Sequence, residues 1–395
     1  MLRSLYSGIS GLRSHQAMLD VTGNNIANVN TTAFKASAVQ FQDTLSQLTQ
    51  GASAPQNQIG GTNPAQIGLG VQVAGISTNF AQGSSQATGR ATDLLISGDG
   101  FFVTELAGET LFTRAGSFDF DADGRLVSPD GAVVQGWGAQ NGVVTAGGAT
   151  GDIRLPVAAV LGAVPTTAAS IIGNLPSDVQ TGTIIQREFE VFSAAGDART
   201  VSVLFEKTDA GWDVTGTDDG RTATASLSFT DGVLDDPASL DFPAGVNTAP
   251  ISVNLSDLEG FADMNTVAFG EQNGNAAGTL ESFTLGNDGT LVGVFSNGGL
   301  QSIGRIALAN FVNPGGLEKA GGSSYRGTFN SGNAVLGTAG LAGLGTISTG
   351  SLEMSNVDLS QEFTNLIVAQ RGFQANARII TTSDEVLQEL TNLKR

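Results

Sequence analysis

The chain has 395 residues, a length typical of two or three domains. Acidic side chains outnumber basic ones 37 to 18, and the net charge of −19 argues against nucleic-acid binding, which needs clustered Lys and Arg. Cysteine is absent and His15 is the single histidine, which excludes disulfides, thiolate zinc sites and multi-histidine metal sites. Charged residues make up 14% of the chain, against about 25% in ordinary soluble domains. This composition favours an extracellular structural protein over an enzyme, and it predicts no cofactor.

The two ends of the chain are predicted to be helical. Apolar residues three and four apart predict one helix within residues 1–30 and another within 357–395. Together they form a seam like that of a coiled coil, so we expect the two helices to pair. The large seam positions are Leu2, Leu5, Ile9, Leu12, Leu19, Ile26, Leu359, Phe363, Leu366, Phe373, Ile380 and Leu387.

Further large apolar residues lie off this seam, among them Ile367, Val368 and Ile379. A helix that is apolar on several sides must be buried on several sides. A packed intramolecular pair is the alternative, but the pattern favours helices that are covered by further copies of the chain. No apolar stretch reaches the 18 or more residues of a membrane span, so membrane insertion is not expected. The N-terminus also lacks the apolar core of a cleavable signal.

Between the ends, residues 31–70 are predicted to form an extended connector, because no charged residue occurs from Thr44 to Gly89 and Gly, Asn, Gln and Pro are frequent. The middle of the chain reads as β-strand. A strand, an Asp-Gly turn and a strand occur around Asp123-Gly124 and again around Asp288-Gly289. This repeat predicts an inner β domain built from 71–145 and 281–356, with an outer β domain, 146–280, inserted between them. The predicted fold is therefore mainly β with α-helical termini.

One acidic loop imitates a calcium site. Asp119, Asp121, Asp123 and Asp130 have carboxylate spacing that could surround a cation. The flanking segments are strand-like where that motif requires helices, so a hairpin turn is favoured over a metal site. The same interpretation applies to the other turn residues of the β core, which are Gly98, Asp99, Gly100, Gly124, Asp288 and Gly289.

The first helix ends in an asparagine cluster. Asn24, Asn25, Asn28 and Asn30 suit a helix stop, because asparagine tolerates left-handed backbone and bonds nearby backbone groups. No acid, base or metal ligand accompanies them, and His15 has no nucleophile in a plausible motif. No catalytic residue is predicted.

Five segments carry a family resemblance. SGISGLRSHQAMLDVTGNNIANVNTTAFKAS resembles the N-terminal segment of bacterial flagellar rod and hook axial proteins, and LLISGDGFFV and TRAGSFDFDADGRLVSPDGAVVQGW resemble their core β motif. TLESFTLGNDGTLVG resembles their later β segment, and VDLSQEFTNLIVAQRGFQANARIITTSDEVLQEL resembles their C-terminal helix. The match covers both ends and both flanks of the insert. The family motif falls on Asn24, Asn25, Ile26, Ala27, Asn28, Asn30, Phe34 and Lys35.

The resemblance implies a structural subunit of an extracellular bacterial flagellum, in the hook or basal body. The chain's length and insert favour the hook, a curved flexible tube that acts as a universal joint between rod and filament. The implied partners are further copies of the chain, the distal rod, the hook cap, the hook–filament junction proteins and the flagellar type III export apparatus. Two other classes stay open: a rod protein with an insertion, and a secreted β-rich adhesin. An Asp/Glu glycosidase is disfavoured, because isolated acids on strands are usual in soluble β domains.

Overall fold

The computed structural model describes residues 2–55, 60–140, 142–156, 160–236, 239–245 and 249–392. The chain divides into two compact units. The first contains Met1–Leu155, Leu285–Leu291 and Ser302–Arg395, and the second contains Pro156–Thr284 and Val292–Gln301.

The elements follow one another in three groups. The first group is α1 (Leu2–Ala27), β1 (Ser37–Asp43), β2 (Ser46–Gln50), β3 (Ala65–Gly68), β4 (Val71–Thr78), β5 (Ser85–Ala87), β6 (Leu94–Ser97), β7 (Phe101–Leu106), β8 (Glu109–Thr113), β9 (Asp119–Phe120), β10 (Leu126–Val127), β11 (Val133–Gln140), β12 (Val143–Val144) and β13 (Gly151–Asp152). The second is β14 (Val160–Leu161), β15 (Ala168–Asn174), β16 (Ile184–Phe192), β17 (Ala198–Lys207), β18 (Trp212–Asp218), β19 (Arg221–Leu227), β20 (Phe229–Thr230), β21 (Val233–Leu234), β22 (Ser239–Phe242), β23 (Ile251–Glu259) and β24 (Ala268–Gln272). The third is β25 (Gly278–Leu285), β26 (Thr290–Phe295), β27 (Leu300–Ile306), β28 (Leu308–Asn310), a 3₁₀ turn (Pro314–Gly316), β29 (Glu318–Gly321), β30 (Ser324–Arg326), β31 (Val335–Gly337), β32 (Thr346–Thr349), β33 (Ser351–Glu353) and α2 (Leu359–Asn392).

The two terminal helices pack against each other along their lengths. α2 starts with a side-chain cap, because Oδ1 of Asp358 accepts hydrogen bonds from the backbone N–H of Ser360 at 2.8 Å and of Gln361 at 3.3 Å. α1 ends before an asparagine turn in which Asn28 N donates to Asn24 O at 3.2 Å. Neither described helix carries an apolar stretch long enough to span a bilayer.

The segment expected to be an extended connector forms paired strands. β1 pairs antiparallel with β4, and β2 pairs antiparallel with β3. β1, β2 and β3 lie in the predicted connector, whereas β4 lies in the segment 71–145 that was predicted to be β. β1 and β4 both contact α1, so this ribbon lies against the helix.

The β part of the first unit is built around β11. The strand order runs β27-β11-β7-β8-β30-β29, and β28 pairs with β7 on the same sheet. Aromatic side chains fill its core, with Phe101, Phe112, Phe311 and Tyr325 in edge-to-face contact. Residues 151–155, which the predicted division assigns to the insert, pair here: Ile153 is buried, and its N–H donates to the carbonyl of Val134.

The second unit contains two four-stranded sheets, in the orders β22-β23-β15-β24 and β16-β17-β18-β19. Alternating residues of β16, β17 and β18 are buried, as expected for strands with one face in a core. Trp212, Phe205 and Phe242 are among the largest fully buried side chains. This unit also includes Val292–Gln301, which the predicted division assigns to the inner domain.

The fold class predicted from the sequence is confirmed: the chain is mainly β, and its N- and C-terminal helices pack together. Both copies of the sequence repeat are turns. β9 pairs with β10 around Asp123-Gly124, and β25 pairs with β26 around Asp288-Gly289. Gly124 and Gly289 have φ of 76° and 79°, which is the left-handed region that favours glycine.

Candidate assembly surface

Small residues carry the closest contact between α1 and α2. Gly8 and Gly11 are buried, and a Cβ at Gly11 would lie 2.7–2.9 Å from the side-chain atoms of Asn376. A Cβ at Gly372 of α2 would lie 2.5 Å from the His15 ring. The helices therefore approach where neither has a large side chain in the way. The sequence signal for this contact is the pair of glycines three residues apart in SGISG.

The large residues of the predicted seam are partly accessible to solvent in the single chain. Leu359 and Phe363 are exposed, and the side chain of Leu2 lies outside the described residues. The remaining nine are half-buried: Leu5, Ile9, Leu12, Leu19, Ile26, Leu366, Phe373, Ile380 and Leu387. Ile380 lies at the small-residue contact itself, because a Cβ at Gly8 would lie 3.6 Å from its Cγ1.

α2 leaves two apolar strips uncovered. The first strip is Leu359, Phe363 and Ile367, which are 39%, 52% and 56% exposed. The second strip is Val368, Ile379 and Val386, which are 55%, 41% and 47% exposed. At about 100° per residue, the strips lie on either side of the face that contacts α1. Large exposed apolar side chains that are grouped on two sides of one helix are candidate contact surfaces for another protein.

The β1–β4 and β2–β3 ribbons add further exposed apolar side chains. These are Phe41, Leu45, Leu48, Ile67, Leu69, Val73 and Ile76, each at least 36% exposed. The ribbon is tied to α1 by the hydroxyl of Ser10, which accepts a hydrogen bond from Val71 N at 3.3 Å. The apolar surface of the helical region therefore continues onto the segment that follows α1.

The asparagine cluster fastens the end of α1 to the start of β1. Asn25 is fully buried, its Nδ2 donates to Ser37 O at 2.8 Å, and its Oδ1 accepts from Ser37 N at 3.0 Å. Asn28 Nδ2 bonds Asn24 O at 2.9 Å, and Asn28 Oδ1 accepts from the Thr31 hydroxyl. Asn30 is exposed, while Ile26 is half-buried and Ala27 exposed. Asn25 is thus the member of the cluster that joins two elements.

The last two residues of the family motif contact distant parts of the chain. Lys319 Nζ lies 5.2 Å from the centre of the Phe34 ring. Lys35 is fully buried, and its Nζ lies 2.5 Å from Glu353 Oε1. Arg114 Nη1 lies 3.6 Å from the same oxygen. Burial lowers the pKa of Lys35, and the hydrogen bond and charge of Glu353 oppose that effect.

Tyr325 lies in the same buried region and gives a pH test of it. Burial raises the pKa of Tyr325 to about 12, and the charge of Arg114 opposes the rise. The unfolded chain ionises tyrosine near 10, so this contribution to stability is complete below pH 10 and is lost as the pH rises towards 12. At pH 11 the loss amounts to about 1.4 kcal/mol.

The Tyr325→Phe variant has no phenol to ionise at this position, so it does not show this loss of stability at high pH. We expect the free energy of unfolding of the unchanged chain to fall between pH 9 and pH 11 by about 1.4 kcal/mol more than that of the variant. Urea unfolding of both proteins at the two pH values measures the difference, and subtraction cancels the other titrating groups. An equal fall in both proteins contradicts the burial of Tyr325.

The glycine turn at 98–100 is held by Arg114. Arg114 Nη2 donates to Gly98 O at 2.8 Å, and its Nε donates to Gly100 O at 3.0 Å. Both glycines have positive φ, 113° and 131°, and the Asp99 side chain points to solvent. These carbonyls therefore bind a guanidinium of the chain's own core.

The structure does not assemble the acidic loop into a metal site. Asp119 pairs with Arg90, Asp121 and Asp123 pair with Arg125, and Asp130 accepts from the hydroxyl of Ser128. Within the described ranges, no group of three or more His, Asp or Glu side chains could hold a metal ion. Asp288 Oδ1 accepts from Thr290 N, as expected for a turn residue.

Three parts of the chain match known protein families. Residues 5–35 match the family described as flagella basal body rod protein, residues 95–172 match the flagellar hook protein FlgE/F/G D1 domain, and residues 348–393 match the flagellar basal body rod FlgEFG protein C-terminal family. These ranges contain most of α1, the turn at 98–100 and α2.

Full-length relatives decide the family. The flagellar hook protein FlgE of Borreliella burgdorferi is 40% identical over 100% of both chains, and that of Treponema pallidum is 37% identical over the same shares. The chain belongs to the flagellar hook protein FlgE family. The flagellar basal-body rod protein FlgG of Bacillus subtilis is also similar, at 35% identity over 100% of both chains. Membership in this FlgE family makes the chain a structural subunit of the flagellar hook, with the rod as the alternative, and confirms the predicted resemblance.

Proposed function

We propose that the chain polymerises into a curved, flexible tube that acts as the universal joint between the flagellar rod and filament. The terminal helices, 1–30 and 357–395, form the inner tube. The inner β domain surrounds them, the inserted domain is outermost, and the segment 31–70 joins helices to β domain. The two exposed strips of α2 carry the proposal, because a second copy of the chain would cover them.

Three features support a polymer of this chain. The strips lie on both sides of the face that packs on α1, so one partner cannot cover both. A helical array provides several neighbours through heterologous contacts. The low share of charged residues allows contacts with few fixed ion pairs, which is compatible with sliding between subunits as the tube turns.

The remaining expectations belong to the same proposal. The chain works outside the cell, after passage through the flagellar type III export apparatus, and its other partners are the distal rod, the hook cap and the hook–filament junction proteins. It performs no catalysis and takes no cofactor. An acidic loop that is paired with arginines suits this structural role.

Electron microscopy tests the proposal directly. Purified full-length protein is compared with a version lacking residues 1–30 and 357–395. We expect curved tubes from the full chain and a soluble monomer from the truncated one, because the truncation removes both helices and their exposed strips. Fluorescence of Trp137 and Trp212, one buried in each unit, verifies that the truncated chain is folded.

The outcomes separate the alternatives. Straight rods would favour the rod protein, which the similarity to FlgG keeps as the second candidate. A monodisperse full-length monomer at high concentration would contradict the polymer proposal. Tubes formed equally well by the truncated chain would contradict the role of the helices.

A further inference from the structure

The two ends of the chain meet at a short junction next to the helices. The backbone N–H of Ala33 donates to Glu353 O at 2.8 Å, and the N–H of Asn356 donates to Phe34 O at 3.4 Å. The N–H of Ala36 donates to Asn356 Oδ1 at 2.9 Å. The segment after α1 and the segment before α2 therefore run side by side.

A third segment completes this junction. The carbonyl oxygen of Ala81 accepts hydrogen bonds from Lys35 Nζ at 2.8 Å and from Asn356 Nδ2 at 3.0 Å. The backbone N–H of Gly83 donates to Glu353 Oε1 at 2.9 Å. The chain that leads into the β part of the first unit thus contacts both ends at once.

A buried ion pair lies at the centre of the junction. The side chains of Lys35 and Glu353 are 0% exposed, and they are 318 residues apart in sequence. Burying two charges is costly, and an apolar pair of similar volume is often as stable or more so. Within the part of the chain that the structure describes, Glu353 Oε2 is buried without a hydrogen-bond partner, so the pair is not optimised for stability. These facts favour a role in specificity.

Only a few residues of the chain separate Lys35 from the end of α1 and Glu353 from the start of α2. Asn25, in the last turns of α1, holds the backbone of Ser37, two residues after Lys35. α2 begins at Leu359, six residues after Glu353, and is capped by Asp358. We infer that Lys35 and Glu353 are positioning residues for assembly, which hold the start of α2 and the end of α1 in one orientation against the β part of the first unit.

This inference rests on the proposed polymer and adds a requirement to it. Every copy in a helical array must present its helix pair at the same angle to its neighbours. A helix pair that can change its orientation loses more conformational entropy when it assembles, and the free energy of subunit binding becomes less favourable by the corresponding amount. The ion pair reduces this cost by ordering the junction before assembly.

Lys35→Met is the decisive variant. It removes the bonds to Glu353 and Ala81, but Glu353 keeps Arg114 as a buried counter-charge. We therefore expect the melting temperature of the monomer to change little, while the critical concentration for polymerisation rises at least tenfold. Arg326→Met is the matched control. It also replaces a basic side chain with methionine in the same unit, but the ion pair that it removes, between Arg326 and Glu109, is exposed. We expect the control to polymerise like the unchanged chain.

A second measurement does not depend on the polymer. The chain has no cysteine, so Thr110→Cys and Ala375→Cys allow two spin labels, one at the exposed start of β8 and one at an exposed position of α2. In the monomer, we expect a narrow distribution of distances between the labels, and a broad one after Lys35→Met. Failure of the unchanged chain to polymerise contradicts the proposed function, whereas this distribution still tests the ion pair.

Two results would overturn the inference. One is an unchanged distance distribution together with an unchanged critical concentration in the Lys35→Met variant. The other is a fall in the melting temperature of the Lys35→Met monomer that is large enough to account for its higher critical concentration. The ion pair would then only stabilise the fold.

Discussion

Replacing both Phe363 and Ile367 with glutamate is expected to abolish polymerisation while the monomer keeps its thermal stability. Both side chains are more than half exposed in the monomer, so their replacement removes little that holds the fold together. Exposed substitutions of this kind usually change the free energy of unfolding by less than about 0.5 kcal/mol.

In the proposed polymer, these positions are covered by a neighbouring subunit. Covering a Phe or Ile side chain contributes about 1.5–3 kcal/mol, and a carboxylate enclosed without a partner costs still more. The two changes together weaken subunit addition by more than about 3 kcal/mol, which raises the critical concentration more than about 100-fold. Sedimentation of the polymer over a range of protein concentrations measures this change.

The control adds the same charges to the polar side of α2. Gln374→Glu and Thr381→Glu are both exposed, and each is separated from every residue of the two strips by about 10 Å or more along the helix or by more than about 100° around it. We expect this double variant to polymerise within a few-fold of the unchanged chain. Equal losses in the two double variants would mean that added negative charge, in a chain of net charge −19, blocks assembly wherever it is placed.

The second large effect is expected at the glycine contact between the helices. Gly11→Leu introduces a side chain where a single Cβ would already lie 2.7–2.9 Å from Asn376, whose Nδ2 bonds Gly372 O at 2.9 Å. Overpacking of this kind costs typically 1–3 kcal/mol. We expect the helical circular-dichroism signal of the monomer to be lost at a clearly lower temperature.

Gly23→Leu is the matched control for this prediction. Gly23 is in the same helix, and a Cβ there would meet nothing within 4 Å. Leucine also has the better helix propensity, by about 0.8 kcal/mol or less, so the control is expected to melt at the same temperature or higher. Similar melting of the two variants would contradict the close approach of α1 and α2 at Gly11. Normal melting of Gly11→Leu alone would contradict it equally.

Much of the architecture could be predicted from local sequence. The apolar periodicity of the ends predicted two helices, since a helix repeats every 3.6 residues whatever it packs against. The Asp-Gly dipeptides predicted the two turns at Gly124 and Gly289, because the left-handed backbone there favours glycine. The asparagine cluster indicated where α1 ends. Each of these signals is contained within a few neighbouring residues.

The strands within 31–70 were not predicted, and their pairing explains why. β1 and β4 are separated by the whole of β2 and β3, and the register between them is set by contact with each other and with α1. Strand propensity depends strongly on such context. An uncharged segment rich in Gly, Asn and Gln fits a free connector equally well until its partner is known.

By itself, the sequence determined the mainly β class, the two terminal helices and the family, because propensity, periodicity and motif spacing are local properties. Tertiary structure alone decided which apolar residues of α2 are covered, since that depends on where the glycines of α1 permit close approach. It also paired Lys35 with Glu353. Lys35 is the single charged residue between Asp20 and Asp43, and Glu353 follows an uncharged stretch from 327 to 352. Nothing local relates two residues that far apart, because the folding of the intervening β-sheets is what brings them together.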